Sequence, residues 1–241
     1  MPIWTTLDST YSQTINNSIQ TGTWAQMATV FGFDDSAGNM TSATGLRGVE
    51  LIGGMTSAPP TWDMNTHWPI VPEDLTCGPN CPGGSDPVQL AQMQFPAAYQ
   101  TSGTFVSGTP FPLQFEALFG TTSYTVPIRS AVVTFQASMP GAVTNGTIAG
   151  AILTSDYVQA LQAAAGSIST SLCSGSAFQS IATQIEQASD IVVNSQTISN
   201  QSGTTCNAIS VGLGFSATEI AIPTAADVTG PTPPPVNPCG G

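Results

Sequence analysis

Short stretches in which apolar and polar residues alternate dominate the chain, and its 24 Gly and 19 Pro separate these stretches from one another. Such alternation is typical of strands with one face buried. The pattern predicts strands at 11–19, 24–32, 46–53, 111–119, 122–138, 147–153 and 208–222. Residues 20–23 form the predicted hairpin turn between the first two strands, and Asn145 with Gly146 is the dipeptide of a second tight turn. The sequence therefore predicts a mainly antiparallel β protein.

The last predicted strand has the most regular alternation. Its apolar residues fall on one face: Ile209, Val211, Leu213 and Phe215. Gly212 and Gly214 lie on the opposite face, where the absence of side chains would admit a helix or another backbone at close range.

Two segments have a helical period instead. The first predicted helix runs from 156 to about 165, with Thr154 or Ser155 as its cap, Val158 and Leu161 on its buried stripe, and Gly166 as its end. The second runs from about 177 to 193. Its apolar residues recur at three- and four-residue spacing: Phe178, Ile181, Ile185, Ala188 and Val192. We expect this helix to pack on the sheet that contains 208–222.

The order of these elements predicts the architecture of the whole chain. The expected fold is an antiparallel β-sandwich, jelly-roll-like, with two amphipathic helices inserted at 154–195 before the last strand. A single domain spans 1–228, and it includes a Pro-rich loop at 58–87 that is longer than an ordinary connection. Residues 229–241 form a Pro-rich tail, because polyproline sequence cannot join a helix or a central strand.

Charge changes this picture more than any other property of the composition. The chain has no Lys, its only cations are Arg47 and Arg129, and the formal net charge is −12. Because no basic patch exists, binding to nucleic acid or to an anionic membrane surface is not expected. No apolar run is long enough to span a bilayer, and residues 1–20 lack the charged start and apolar block of a signal peptide. A hydroxyl-rich surface with so little charge is typical of exported or particle-forming proteins.

The five cysteines favour an oxidising compartment. Cys77 and Cys81 are four residues apart in a Gly/Pro-rich turn, so we predict a disulfide between them. We predict a second disulfide between Cys173 and Cys206, which bracket the second helix. Cys239 is then left over, and it could instead pair with either of these two or with another chain. A zinc site is not predicted, because CxxxC has no second ligand pair here.

The second half of the chain carries a resemblance to a known group of proteins. The segments VPIRSAVVTF, NGTIAGAILTSDYVQALQ, SLCSG, IATQIEQASDIV, TCNAISVGLGF and PPPVNPC, within about 122–239, resemble an uncharacterised family of bacterial exported proteins that are often predicted to be surface lipoproteins. The resemblance implies an extracytoplasmic location and a sandwich-like body with a helical insertion. It also implies that Cys173, Cys206 and Cys239 are structural.

The loop at 58–87 contains the best candidate for a contact surface. Trp62 and Trp68 flank the only His of the chain, His67, and Asp63 and Asn65 lie between them. Indole faces beside Asp and Asn are typical of sites that stack on sugar rings, and loops on a rigid sheet often carry binding residues. Alternatively, the two tryptophans plug one end of the sandwich as a small satellite core.

Enzymatic chemistry has weaker support in the sequence. No G-x-S-x-G motif accompanies His67, so a serine hydrolase is not expected. A glycosidase needs only two carboxylates at a suitable distance, with Glu116 and Asp63 as nominees. Glu116 and Glu50 are the best candidates for an inward-facing carboxylate, although a solvent-facing position is favoured for both of these strand residues. Asp34, Asp35 and Asn39 could hold calcium, but they lack the spacing and the distal Glu of an EF-hand loop, so an ordinary Asx-rich hairpin turn is the favoured interpretation.

These observations favour an exported, non-catalytic surface, matrix or particle protein. It would act through glycan or protein contacts, possible self-association among them, and without a cofactor. The alternative is an extracellular hydrolase that uses paired carboxylates.

Overall fold

A computed structural model describes residues 11–35, 41–82, 84–119, 122–139, 141–194, 197–199, 203–229 and 239. Its strands are β1 (Ala25–Phe31), β2 (Ala43–Gly53), β3 (Met93–Thr101), β4 (Thr104–Val106), β5 (Phe111–Phe119), β6 (Thr122–Met139), β7 (Ala142–Leu153), β8 (Val192–Asn194), β9 (Thr197–Ser199) and β10 (Ala208–Thr218). Its helices are α1 (Tyr11–Thr21), α2 (Pro87–Leu90), α3 (Thr154–Ile168) and α4 (Ser176–Gln187). All strand pairs within the sheets are antiparallel. The predicted mainly antiparallel β class, with two helices before the last strand, is confirmed.

One curled sheet forms both layers of the body. The strands follow the order β1-β2-β3-β4-β6-β7-β10, and β5 branches off to pair with the first half of β6. The second half of β6 pairs with β4 instead, so this long strand serves two parts of the sheet. Strands β8 and β9 form a separate small hairpin.

Aromatic side chains fill the space between the layers. Phe105 and Phe135 stack with ring centroids 4.5 Å apart, across the β4–β6 pair. Trp24 meets Phe115 edge to face at 6.3 Å, which holds β5 over the end of the sheet that contains β1. Contacts of this kind between large rings add to the free energy gained by burying them.

Helix α3 packs against β6 with its small and aromatic residues. The buried positions are Tyr157, Ala160, Ala163 and Ala164, and the Tyr124 hydroxyl of β6 donates to the carbonyl of Ala163 at 2.9 Å. The predicted stripe residues Val158 and Leu161 are only partly buried, at its margin. The helix starts at Thr154 without a side-chain cap and continues through Gly166 to Ile168, so the predicted cap and end were wrong.

Helix α4 is shorter than predicted, because the chain leaves the helix after Gln187 and Val192 begins strand β8. Phe178 and Ile185 are buried, as expected, and Ile181 is partly buried against the core. The helix packs on α3, and α3 in turn contacts the sheet. Its main contact is therefore with α3, although Ile185 also belongs to the main core.

Two further predictions were wrong in their local structure, and one pair of strands was missed. Residues 11–21 form helix α1, where a strand and the start of a hairpin turn were expected. Strands β3 and β4, joined by a turn at Ser102 and Gly103, were not predicted. Asn145 and Gly146 lie inside β7, where the pairing with β6 is irregular, and not in a turn between strands.

The described residues include little of the predicted tail. Only Thr229 and Cys239 of the predicted tail 229–241 are among the described residues. No helix in the described part of the chain is long and apolar enough to cross a membrane.

Candidate functional site

The predicted contact loop is anchored on the outer face of β2. Val49 and Leu51 point away from the main core and form a satellite cluster with Ile70, Leu75 and Ala91. Beyond the end of β3, Val71 donates its N–H to the carbonyl of Ile52 at 3.2 Å. The loop thus continues the hydrogen-bonding of the sheet where β3 stops, which explains how so long a segment stays ordered.

Trp68 is the core residue of this loop. It is 1% exposed, and its indole N–H donates to the carbonyl of Gly54 at 2.6 Å. The indole lies directly over Gly53, where a Cβ atom would approach Trp68 Cδ1 to 2.2 Å. The satellite-core alternative is therefore right for Trp68, which cannot serve as a contact residue.

Trp62 lies on top of Trp68. Their ring centroids are 5.5 Å apart with an interplanar angle of 48°, and Trp62 remains partly exposed. Its backbone has φ of +58°, a conformation that few large residues adopt. The two tryptophans come together as predicted, but they differ in role, because Trp68 is the buried support and Trp62 presents an indole to solvent.

A tight turn beside Trp62 is closed by Asp63. Its Oδ1 accepts the N–H of Asn65 at 2.9 Å and the hydroxyl of Thr66 at 3.3 Å. The backbone hydrogen bond from Asn65 is the main reason that the pKa of the exposed Asp63 lies below its ordinary value. Asp63 and Asn65 are both exposed next to the indole, which leaves a carboxylate and an amide at the surface.

His67 pairs with a carboxylate that the sequence did not suggest. Its Nδ1 lies 3.1 Å from Asp227 Oδ2, and Asp227 also accepts the N–H and hydroxyl of Thr224. Partial burial works to raise the pKa of Asp227, but the hydrogen bonds from Thr224 and His67 outweigh it, so the pKa falls below its usual value. The partner was missed because 160 residues separate the two side chains.

The structure settles the cysteine pairs. Cys77 and Cys81 form the predicted disulfide. The predicted Cys173–Cys206 disulfide is wrong, because Cys173 pairs with Cys239. Cys206 is partly buried and carries a free thiol. The prediction relied on closeness in sequence, whereas the structure brings Cys239 to the segment between α3 and α4.

A second group of carboxylates lies in the interior. Glu50 on β2 is 4% exposed, so it faces inward, whereas the sequence favoured a solvent-facing position. Its Oε1 accepts a hydrogen bond from the side chain of Gln26 on β1, and its Oε2 has no hydrogen-bond partner among the described residues. The pKa of Glu50 is raised to about 8. Burial is the main cause and the charge of nearby Asp74 adds to it, while the hydrogen bond from Gln26 acts in the opposite direction. Asp74 is itself buried and accepts the N–H of Ile52 at 2.5 Å.

The remaining candidates do not assemble into a site among the described residues. The side chain of Glu116 lies outside them, and so does Asn39 of the calcium candidate. Asp34 is tied through its backbone to the Gln100 side chain, and Asp35 accepts the N–H of Gly141 at 3.4 Å. The described part of the chain contains no group of three or more His, Cys, Asp or Glu residues that could hold a metal ion.

The contact loop presents the partly exposed indole of Trp62, the carboxylate of Asp63, the amide of Asn65 and the imidazole of His67. The buried indole of Trp68 supports them, and the Cys77–Cys81 disulfide closes a turn later in the same loop. Comparison with known proteins adds no further guide, because no protein-family model, no curated protein and no solved structure matches the chain.

Proposed function

We propose that the protein is an extracytoplasmic, non-catalytic binding protein that contacts a glycan through the tryptophan loop, which we define as Trp62, Asp63, Asn65 and His67. The observation that carries the proposal is the placement of Trp62. Its indole rests on the buried indole of Trp68 at 5.5 Å and remains partly exposed. An aromatic ring held in this way loses little conformational entropy when it stacks on a ligand.

Polar groups beside the indole support a sugar as the ligand. Asp63 and Asn65 are exposed within the same short turn, and the side chain of the nearby His67 is 51% exposed. Carboxylate, amide and imidazole groups can donate to or accept from ring hydroxyls while the indole covers the apolar face of the sugar. A protein partner is the alternative occupant of the same surface.

The carboxylates support binding better than hydrolysis. Asp63 Oδ1 is engaged by Asn65 and Thr66 within its own turn. Glu50 is buried inside the sheet, so a substrate does not reach it. A glycosidase needs two carboxyl groups on either side of a bound sugar, and Glu50 cannot be one of them while it is buried.

The proposed compartment is supported by two disulfides, Cys77–Cys81 and Cys173–Cys239. Disulfides persist mainly in oxidising surroundings. The charge of −12 and the near absence of Lys and Arg are consistent with an exported surface.

The proposal is tested by replacing Trp62 alone. Full-length protein is titrated with oligosaccharides from chitin, cellulose and peptidoglycan while tryptophan fluorescence is recorded. We expect Trp62→Ala to weaken binding by about tenfold or more, because a central aromatic anchor dominates small interfaces. The matched control is Phe31→Ala, which removes another partly exposed ring, 41% exposed on β1.

Circular dichroism and thermal unfolding establish that both variants fold. The glycan proposal is wrong if the wild-type protein binds none of the three classes. The placement of the contact surface is wrong if Trp62→Ala folds and binds as tightly as the control.

A further inference from the structure

Strand β10 forms an edge of the sheet. It pairs with β7 from Ala208 to Thr218, and no described strand lies on its other side. An unpaired edge strand presents backbone donors and acceptors that can pair with a strand of another chain. Proteins usually prevent such pairing with Lys or Pro in the edge strand or with a loop that covers it. Strand β10 contains neither Lys nor Pro.

The direction of the free backbone groups follows from the first residues of the strand. Ala208 exchanges hydrogen bonds with Ile191, and the N–H of Ser210 is taken by Asp190 Oδ1 at 2.8 Å, both on the side away from β7. Backbone groups alternate in direction along a strand. The N–H and C=O groups of Gly212 and Gly214 therefore point out of the same edge, and neither glycine has a backbone partner there among the described residues.

Side chains leave this edge accessible. Gly212 and Gly214 are exposed, and a Cβ built on Gly212 would meet nothing within 4 Å. On the other face, Val211, Leu213 and Phe215 pack against the main core but remain partly exposed. The core is therefore incomplete along this edge, and a further strand would cover the rest of these three side chains.

The distribution of charge favours a second copy of the chain as the source of that strand. The protein carries a net charge of −12, so most contacts between two copies bring carboxylates together. Residues 130–155 and 191–218, which include β7 and β10 and most of β6, contain no charged side chain. Two copies that meet at β10 avoid most of this repulsion.

We propose that two copies of this chain associate through antiparallel pairing of their β10 strands around a two-fold axis at Leu213. In that register Gly212 of one copy lies opposite Gly214 of the other, and each such pair exchanges two backbone hydrogen bonds. Val211 then faces Phe215 of the second copy, and the two Leu213 side chains meet at the axis. This inference does not depend on the tryptophan loop.

The length of the contact is limited at both ends. Asp190 occupies the edge at Ser210, and the pairing of β10 with β7 becomes irregular between Phe215 and Ala217. A contact of one short strand pair is small, so we expect weak association. Asp190 and Glu219 lie near its ends, and added salt should strengthen the dimer by screening their repulsion.

Sedimentation equilibrium of the full chain at about 10 to 200 μM tests the proposal, since this range populates dimers with micromolar dissociation constants. We expect a monomer–dimer equilibrium that shifts towards the dimer as salt is raised. Gly212→Glu/Gly214→Glu should make the protein monomeric, because the pairing places carboxylates directly opposite one another. Gly212→Thr/Gly214→Thr is the matched control and should still dimerise.

A charge-swap experiment tests the register. Gly212→Lys/Gly214→Lys should also be monomeric alone, whereas an equimolar mixture with the Glu double variant should form heterodimers, because opposite charges then face each other across the axis. Circular dichroism of each variant checks that the sheet is retained.

The proposal is overturned if the wild-type chain stays monomeric over this range even in high salt. It is also overturned if the Glu double variant folds and still associates like the wild type, or if the Glu and Lys variants do not associate when mixed.

Discussion

At the scale of single residues, Glu50 is a carboxyl group whose surroundings differ strongly from water. It lies inside the sheet with one hydrogen-bonded oxygen, and the buried Asp74 is near enough to oppose its ionisation. With its pKa raised to about 8, Glu50 is mainly protonated at pH 7 in the folded protein. In the unfolded chain it ionises near pH 4.5. Between these values the folded state holds a proton that the unfolded state has lost.

This difference predicts that Glu50 lowers the free energy of unfolding as pH rises from about 4.5 to 8, and that the loss levels off above pH 8. Glu50→Gln keeps an acceptor for Gln26 and removes the titration. We expect it to stabilise the protein at pH 7 by roughly 2 to 4 kcal/mol and to flatten this part of the pH profile. Urea unfolding at a series of pH values measures both effects.

The control for that experiment is Glu73→Gln, which neutralises an exposed carboxylate beside Asp74. An unchanged pH slope in Glu50→Gln would contradict the assigned protonation state.

At the scale of elements, helix α4 depends on one buried stripe. Ile185 is 1% exposed and belongs to the main core, and Phe178 is buried on the same helix. Because truncation leaves a cavity under a helix that touches mainly α3, we expect Ile185→Ala to lower the free energy of unfolding by about 2 to 5 kcal/mol. Urea denaturation measures the change, with Gln184→Ala at an exposed position of the same helix as the control. A loss below about 0.5 kcal/mol would show that the stripe is not core.

Regular periodicity decided which elements could be predicted from the sequence. Strands β2, β5, β6 and β10 have uninterrupted alternation or apolar runs, and they lie where the pattern placed them. Helix α1 was missed because its Thr and Ile residues are of types enriched in strands, although Ile15 and Ile19 have the four-residue spacing of a helix and both pack on the core.

Irregular pairing explains most of the other errors. Strand β3 contains Pro96, and its pairing with β2 shifts between Leu46 and Gly48, so its alternation is broken in the sequence. Asn145 does adopt the positive φ that its turn-like sequence suggests, at +51°. The structure uses this conformation for an irregularity within β7, where the Phe215 ring lies over Gly146.

The candidate site was predictable only in part for a related reason. Clustering of Trp62, His67 and Trp68 within one loop is visible in the sequence, but their exposure is not. Burial of Trp68 depends on Gly53, and the partner of His67 comes from the other end of the chain. Both are tertiary contacts, which local pattern cannot reveal.

At the scale of the whole molecule, contacts with the C-terminal segment link distant parts of the chain. Ile70 donates its N–H to the carbonyl of Asp227 at 2.7 Å, and Thr229 donates to the carbonyl of Ile70 at 3.1 Å. These bonds tie the segment to the residues that directly follow the tryptophan loop. Ten residues later, Cys239 is joined to Cys173 beside the helices. The C-terminal segment therefore has hydrogen-bonded attachments at Ile70 and a covalent attachment at Cys173.

The two disulfides should consequently differ in their effect on stability. The Cys173–Cys239 bond spans 66 residues, whereas Cys77–Cys81 spans four. In the chain-entropy treatment a longer loop restricts the unfolded chain more, so we expect Cys173→Ala/Cys239→Ala to lower the free energy of unfolding by about 4 kcal/mol and Cys77→Ala/Cys81→Ala by about 2 kcal/mol. Urea unfolding of the oxidised proteins measures both losses.

In the same samples, alkylation after denaturation without reductant should label Cys206 alone, because it is the only cysteine outside a disulfide. Recovery of a peptide in which Cys173 is joined to Cys206, or an equal loss in the two double variants, would contradict this arrangement of the tail.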